Sequence, residues 1–404
     1  MRIVYHHRTR STDAQRIHIQ EIVRAFEDLG HQVEVVSLVP LDAGQHNAER
    51  DAGDALWKRL VRKIPFAYEL AQLGYNLVGV PMLLRSLLRK RADFLYERYA
   101  LFNFAGLIAA WLFRIPLILE VNSPFALEQA RDREIRALRF AAWTERFLCN
   151  HAARVIVVST PLARLLEQAG VAAGKIEVMV NGVSLDDFQP GAASDELRQR
   201  LGIAGRLVIG FVGWFRKWHG LELLLEAFLH SGLGSRGVRL LLLGDGPAMA
   251  ELREFAAQHQ MGESVVFPGP VPHAAVPAYL DLIDVAVQPA ANEYCCPMKI
   301  LEYMALGKPV IAPAQENILE LLSKEEACFF TPRDVASLSA ALLTMAGDRE
   351  RARRMGMAAR TAIEERGFLW SENARRVIAM MAQEPSAAPA VEPALGVSQR
   401  EPQA

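Results

Sequence analysis

Short runs of β-branched and leucine residues alternate along the chain with longer stretches in which apolar residues recur every three or four positions. In the first half the runs Ile3 to Tyr5, Val33 to Leu38, Phe94 to Tyr96, Leu117 to Val121 and Val155 to Val158 read as strands, each followed by a helical pattern. Such alternation is the signature of crossover units on a parallel sheet. Turn residues at Asn181-Gly182 and from Gln189 to Ser194 interrupt it, and it restarts at Leu207. The second half offers strands near Val208 to Val212, Arg239 to Leu243, Val265 to Phe267, Val285 to Gln288, Val310 to Ala312 and Cys328 to Phe330. Two α/β units are therefore expected, over 1–180 and 206–367, joined by a linker over 181–205. Open parallel sheets bind ligands at the carboxyl ends of their strands, so two facing sheets make one cleft. The segment 384–404 is Ala, Pro, Ser, Glu and Gln with almost no bulky apolar residue, and is expected to be disordered.

Composition narrows the class. At 404 residues and 51% hydrophobic content, two full-sized cores are within reach. Lys plus Arg is 45 against 46 for Asp plus Glu, a balance that gives nucleic acid no general foothold. The four cysteines follow no zinc spacing and make no disulfide framework, which fits a reducing compartment; Cys295 and Cys296 read as lining a turn. Met1 to Tyr5 enter a strand directly, and no run approaches the roughly 20 apolar residues of a spanning helix. A cytoplasmic location is expected, with the possibility of resting on the membrane face.

The chemistry concentrates between Glu293 and Ala312. Pro297 suits the first position of a helix, Ile300, Leu301 and Met304 recur at helical spacing, Gly307 suits the residue just past its end, and Pro309 blocks continuation into the next strand. A helix start presents unpaired N–H groups and a positive dipole end, and so holds anions. Lys299 and Glu302 share a face of its first turns: a charge for phosphates and two acceptor oxygens for ribose hydroxyls. An ordinary surface ion pair would have the same spacing. Upstream, Gly213-Trp214-Phe215-Arg216-Lys217-Trp218-His219-Gly220 lies between a strand and an apolar helix, with glycines that let backbone approach a ligand and two adjacent cations; an exposed basic turn would look alike. Leu241 to Pro247 is a strand and a turn containing Gly244 and Gly246. From Trp57 to Arg91, basic residues flank apolar helical faces, a pattern that suits either an anionic membrane surface or helices covering the first sheet.

Pro297 to Ala312 resembles the donor-binding motif of the retaining glycosyltransferases of family GT4, in the branch with a Pro-x-Lys-x-x-Glu-Tyr pattern. The resemblance, over roughly residues 1 to 382, implies the GT-B fold: two Rossmann-like parallel-sheet domains facing each other across a cleft, with nucleotide sugar in the second and acceptor in the first. A helix over 368–383 should cross back to the first domain. In that family the second glutamate of Glu-x7-Glu holds the ribose, and it matches Glu302; the first falls at Tyr294, with Glu293 one residue out of register and Met298 also on the donor side. Gly213 to Gly220 keeps the spacing of a Gly-Arg-x5-Lys-Gly pyrophosphate motif, with Trp214 and His219 in the basic positions. Arg216 or Lys217 is then expected to take the phosphate charge and His219 to hydrogen-bond an oxygen. Gly244 and Gly246 resemble the family's Gly-x-Gly loop beside the nucleotide, and Phe267 to Pro272, with Val271, the segment passing the base.

In the first half the family has Gly-Gly ahead of a histidine that matches His18. Asp13 and Ala14 stand there, so Arg8, Arg10 or Arg16 are expected to supply charge instead. Asn122, which can hydrogen-bond a sugar hydroxyl, matches a histidine facing the transferred sugar, with Glu120 the nearer carboxylate. The implied activity is hexosyl transfer from a UDP- or GDP-sugar to a glycan or lipid-linked acceptor in polysaccharide or glycolipid synthesis. Arg216, Lys217 and Lys299 would stabilise the departing diphosphate, and no metal or other cofactor is expected. The departures at Asp13, Asn122, Trp214, His219 and Tyr294 leave two alternatives, a nucleotide-sugar-binding scaffold and a GT-B epimerase.

Overall fold

A computed structural model describes residues 1–9, 14–39, 66–131, 135–191 and 193–383. Arg10 and Asp13, residues 57–65 of the basic stretch, and the segment from 384 onward lie outside them. The first half runs β1 (Arg2–His6), α1 (Ala14–Asp28), β2 (Gln32–Val36), α2 (Ala67–Gly74), α3 (Asn76–Arg89), β3 (Phe94–Arg98), α4 (Ala105–Phe113), β4 (Leu117–Val121), α5 (Phe125–Arg131), α6 (Leu138–His151), β5 (Arg154–Val157), α7 (Thr160–Gln168) and β6 (Ile176–Val178). The second runs α8 (Asp195–Arg200), β7 (Val208–Val212), α9 (Leu221–Ser231), β8 (Arg239–Leu243), α10 (Met249–Gln258), β9 (Val265–Gly269), α11 (Val276–Asp281), β10 (Val285–Val287), α12 (Met298–Ala305), β11 (Val310–Pro313), α13 (Glu316–Leu319), β12 (Ala327–Phe330), α14 (Val335–Gly347), α15 (Arg349–Glu365) and α16 (Trp370–Gln383).

Each half carries one six-stranded sheet, in the orders β2-β1-β3-β4-β5-β6 and β12-β11-β10-β7-β8-β9, with parallel pairing throughout. Strand order reverses at β1/β3 in the first sheet and at β7/β10 in the second. At such a point neighbouring loops leave in opposite directions and open a crevice at the strand ends. The loops after β7 and β10 carry Gly213 to Gly220 and the start of α12, so topology alone brings the two basic motifs together.

Alternation along each strand divides the first core. Ile3, Tyr5, Phe94, Tyr96, Ile118 and Ile156 pack against α1 and α16, while Val4, Leu95, Leu117, Leu119 and Val155 face α3, α4 and α6 on the other side of the sheet. Burying each such side chain contributes about 1.5–3 kcal/mol. The last helix belongs to the first sheet: Trp370, Ala374, Val377 and Met381 join its core, Asn373 Nδ2 donates to the Val180 carbonyl at 2.8 Å, and Arg376 pairs with Glu177 at 2.6 Å.

Asn181-Gly182 reads in the sequence as a turn, but its glycine serves close approach. The linker crosses the start of α16 at Gly182, where a Cβ would lie 2.3 Å from the Trp370 nitrogen and 2.6 Å from the Leu369 carbonyl carbon. Val183 donates to the Phe368 carbonyl at 3.0 Å beside this crossing. Gly182→Ala is expected to destabilise by about 1–3 kcal/mol, as overpacking does. The effect is read as a lower urea midpoint at unchanged slope; an unchanged midpoint would mean the two segments do not cross so closely.

Candidate functional site

The helix that organises the site forms as its sequence suggests, one residue displaced at its start. Pro297 is the N-cap, at φ −71° and ψ 106°, because its carbonyl already accepts from Ile300 N–H at 3.0 Å; Met298 is the first helical residue. At the other end Gly307 takes φ +66°, and the N–H groups of Gly307 and Lys308 return to Met304 and Tyr303 at 2.9 Å each, closing the helix as a Schellman motif.

Lys299 points from the first turn of α12 to the loop after β7. Its Nζ lies 3.3 Å from His219 Nε2 and 4.2 Å from the centre of the Phe211 ring. Gly213 sits at φ +148°, a conformation that residues with a Cβ rarely adopt, and its backbone passes close beside that Nζ. Burial brings the Lys299 pKa down to about 8, offset in part by Glu302. Burial, with the Lys299 charge, pushes His219 down to about 2, so its imidazole is neutral. With Lys299 charged, Nε2 accepts from the ammonium, which puts the proton of the neutral ring on Nδ1. Arg216 rides on the same loop, exposed, and its charge also lowers His219.

Glu302 lies half-buried on the face of α12 that carries Lys299. Burial raises its pKa to about 7, against the pull of Lys299 and with a further push from Glu21 on α1. The charge of a first-domain carboxylate is thus felt at Glu302. Glu21 carries no motif and was missed in the sequence; only its place one turn after His18 on α1 hints at it. Tyr303, on the same helix as Glu302, has a structural role. Strand β10 pairs with β7 only at Ile209 and Gly210, so Val212 N–H has lost its strand partner, and the buried Tyr303 hydroxyl accepts it at 3.0 Å. That bond fixes α12 against the end of β7. A tyrosine on an otherwise apolar helix face is the available signal, since its hydroxyl needs a partner.

Other expected residues stand elsewhere. Lys217 is tied at the surface to Glu251 of α10, at 3.1 Å and 72% exposed, and does not join Lys299. Gly244 and Gly246 accommodate the neighbouring loop: their Cβ atoms would stand 1.9 Å from the Gly213 oxygen and 2.5 Å from the Phe215 nitrogen. They set the Gly213 loop in place by backbone contact. Tyr294 is buried between the domains, donating its hydroxyl to Glu128 of α5 while its carbonyl accepts from Ser159 Oγ at 2.7 Å. Glu293 is exposed and lines, with Pro161, Arg164 and Leu165, a cavity of about 470 Å³ that touches neither Lys299 nor His219. Met298 packs on the first domain's core and Val271 on the second's.

In the first domain Glu120 is a hub. It accepts from Tyr96 at 2.8 Å, from Arg98 at 2.7 Å and from Asn122 Nδ2, and lies 3.6 Å from His18 Nδ1. Burial pushes its pKa up, but His18, then Arg98 and Asn122, hold it below the usual value. His18 is buried edge-on to Trp370 at 4.8 Å, and burial lowers it to about 4; it belongs to this network and not to an open phosphate cradle. Asn181, close by in the linker, reaches the start of α12, its Nδ2 donating to the Cys296 carbonyl at 2.8 Å. Arg8 lies 4.1 Å above Tyr75 and donates to Gln72 at 2.7 Å, which fixes it in the first domain.

Two family profiles match this arrangement: "Glycosyltransferase Family 4" over residues 15–187 and "Glycosyl transferases group 1" over 206–348, together most of the chain. The chain belongs to the family 4 glycosyltransferases. Among its relatives in that family, the 2-deoxystreptamine N-acetyl-D-glucosaminyltransferase of Streptomyces fradiae is 31% identical over 55% of this chain and 53% of its own length. The D-inositol 3-phosphate glycosyltransferase of Nocardia farcinica is 26% identical over 71% and 65%. The matches thus span about half to two thirds of these curated relatives. Among solved structures, Anabaena HepE in complex with UDP and glucose superposes with a TM-score of 0.70 at 19% identity, covering 95% of this chain and 100% of that one. Sucrose-phosphate synthase from Thermosynechococcus elongatus gives 0.71 at 19%, covering 95% and 98%. These likenesses establish the GT-B fold of this family 4 member.

Two outcomes follow from the geometry. The Lys299 cation is present below about pH 8 and lost above it, while the Glu302 carboxylate is present above about pH 7 and lost below it. Affinity for a nucleoside diphosphate should therefore rise through about 7 and fall through about 8, and titration calorimetry across pH 6 to 9.5 reads both limbs as an order-of-magnitude window. A flat profile would contradict the assignment. Tyr303→Phe leaves Val212 N–H buried without a partner and should cost about 1–3 kcal/mol in chemical denaturation; no loss would mean that this bond does not hold α12.

Proposed function

We propose that this chain is a retaining glycosyltransferase that moves a hexose from a UDP- or GDP-linked sugar to a glycan or lipid-linked acceptor, in cell-surface polysaccharide or glycolipid synthesis. The observation that carries the proposal is the meeting of Lys299, neutral His219, the Gly213 loop and Glu302 at the start of one helix, at the reversal point of the second sheet. Support comes from the matched family profiles, from relatives named as glycosyltransferases, and from HepE, solved with UDP and glucose.

In the proposed reaction the bond between the sugar C1 and the diphosphate oxygen breaks while the acceptor hydroxyl attacks the same face. Its proton passes to the departing phosphate oxygen. The residues of this chain contribute position and charge. Lys299 and the unpaired N–H groups of α12 hold the diphosphate as it gains charge, the step at which fixed positive groups stabilise most. Neutral His219 donates no charge of its own; it accepts from Lys299 and so orients the ammonium. Arg216 closes the phosphate side from the loop lip. Glu302 accepts from the ribose hydroxyls, and Asn122 offers its amide oxygen to a sugar hydroxyl from the end of β4. Lys217, occupied with Glu251, is left out of this assignment.

Thermal-shift measurement with UDP, GDP and their sugars tests the reading, paired with detection of released diphosphate. One UDP- or GDP-linked donor should stabilise the protein and give free UDP or GDP with acceptor. Glu302→Ala should weaken nucleotide binding by about 1.5–3 kcal/mol, roughly 10- to 100-fold. Stabilisation without release favours a binding scaffold, and an altered sugar still attached to nucleotide favours an epimerase. No stabilisation by any nucleotide would refute the site.

A further inference from the structure

A second surface stands apart from the cleft. On the side of the first sheet away from α1 and α16, α3, α4 and α6 form an outer layer, with α3 and α4 so close that a Cβ on Gly79 would touch the Ala105 side chain at 3.1 Å. Large apolar side chains on this layer face outward. Leu77 and Leu88 on α3 are 81% and 76% exposed; on α4, Ile108, Trp111 and Leu112 share one helical face, with Trp111 at 53%. On α6, Phe140 and Trp143 are exposed in a row of rings, Phe140–Trp143–Phe147–His151, with centroids 5.7, 4.9 and 4.0 Å apart. Phe102 and Phe104, just before α4, pack on that row at 5.4 and 6.3 Å. An ordinary soluble face would carry mixed charges here. Instead, residues 76–91, 105–114 and 138–151 carry seven Lys and Arg residues, all exposed, and one carboxylate, Glu145, which is buried. Arg85 and Arg89 on α3, Arg114 after α4, and Arg139 and Arg146 on α6 accompany the apolar ridge. The whole chain, by contrast, is close to neutral at −1.

We propose that this layer is a docking face for an anionic lipid surface, on which Trp111 and Trp143 enter the headgroup boundary while the surrounding cations meet acidic headgroups. Amphipathic indole rings suit that boundary, and each nearby Lys or Arg adds attraction to acidic lipid. No described helix is long and apolar enough to cross a membrane, so the layer lies on the bilayer and does not span it. The assignment widens the reading of the basic stretch in the sequence: its described part, on α3, is one flank of a surface completed by α4 and α6. It rests on neither the donor site nor the reaction.

The test is sedimentation of the full chain with vesicles of phosphatidylcholine alone or with about a third phosphatidylglycerol, at low and high salt, with tryptophan fluorescence read against bromine-labelled lipid. The chain should pellet with the acidic vesicles at low salt, be released at high salt, and show quenched fluorescence when bound. Trp111→Ser with Trp143→Ser, and separately Arg139→Glu with Arg146→Glu, should each lower the vesicle partition coefficient about tenfold or more. An unaltered thermal melt shows that each variant is folded. Failure of the unmodified chain to pellet, unquenched tryptophan, or folded variants that partition as the parent does would overturn the proposal. So would a dimer in light scattering that the tryptophan substitutions dissociate, since a second copy would then own the face.

Discussion

A half-buried lysine ammonium without a described carboxylate in hydrogen-bond contact is the constraint on which this site depends. Among the described residues Lys299 rests on the Phe211 ring and the neutral imidazole of His219, and Glu302 offsets its burial only in part. A cation so placed is under-solvated, and a multiply charged anion that reaches it regains what burial removed. Much around it serves that placement. Gly213 makes room for Nζ, Gly244 and Gly246 let the next loop press the Gly213 loop into position, and Tyr303 holds the helix that carries Lys299 to the strand that carries the loop.

The two domains meet through contacts that start from the same few residues. Tyr294, four residues ahead of α12, is gripped by Glu128 and Ser159 of the first domain, and Cys296 by Asn181 of the linker. The start of α12 is therefore held from the first domain and the linker as well as from its own sheet.

The sequence disclosed what depends on local rules. Strands of β-branched residues and the proline start and glycine end of α12 follow from short-range pattern, whereas the strand order that joins the motifs does not. The short strand Ile176–Val178 was missed because three half-buried residues leave no alternation to read. Gly182, Gly244 and Gly246 were legible as glycines but not as to cause, since turn, ligand approach and chain crossing leave the same letter. The choice between Arg216 and Lys217 was equally open, because a partner 34 residues away, Glu251, decides where Lys217 points. Glu21 acts on Glu302 from the other domain, 281 positions away in the chain, which no local signal encodes.

The most direct measurement compares titration of UDP and of uridine into the parent protein and into Lys299→Met, a substitution that keeps the stem and removes the charge. If the buried ammonium grips the diphosphate, the parent should prefer UDP over uridine strongly, and the variant should lose about 10- to 100-fold of UDP affinity while uridine binds as before. Equal losses for both ligands, or none for either, would contradict the account.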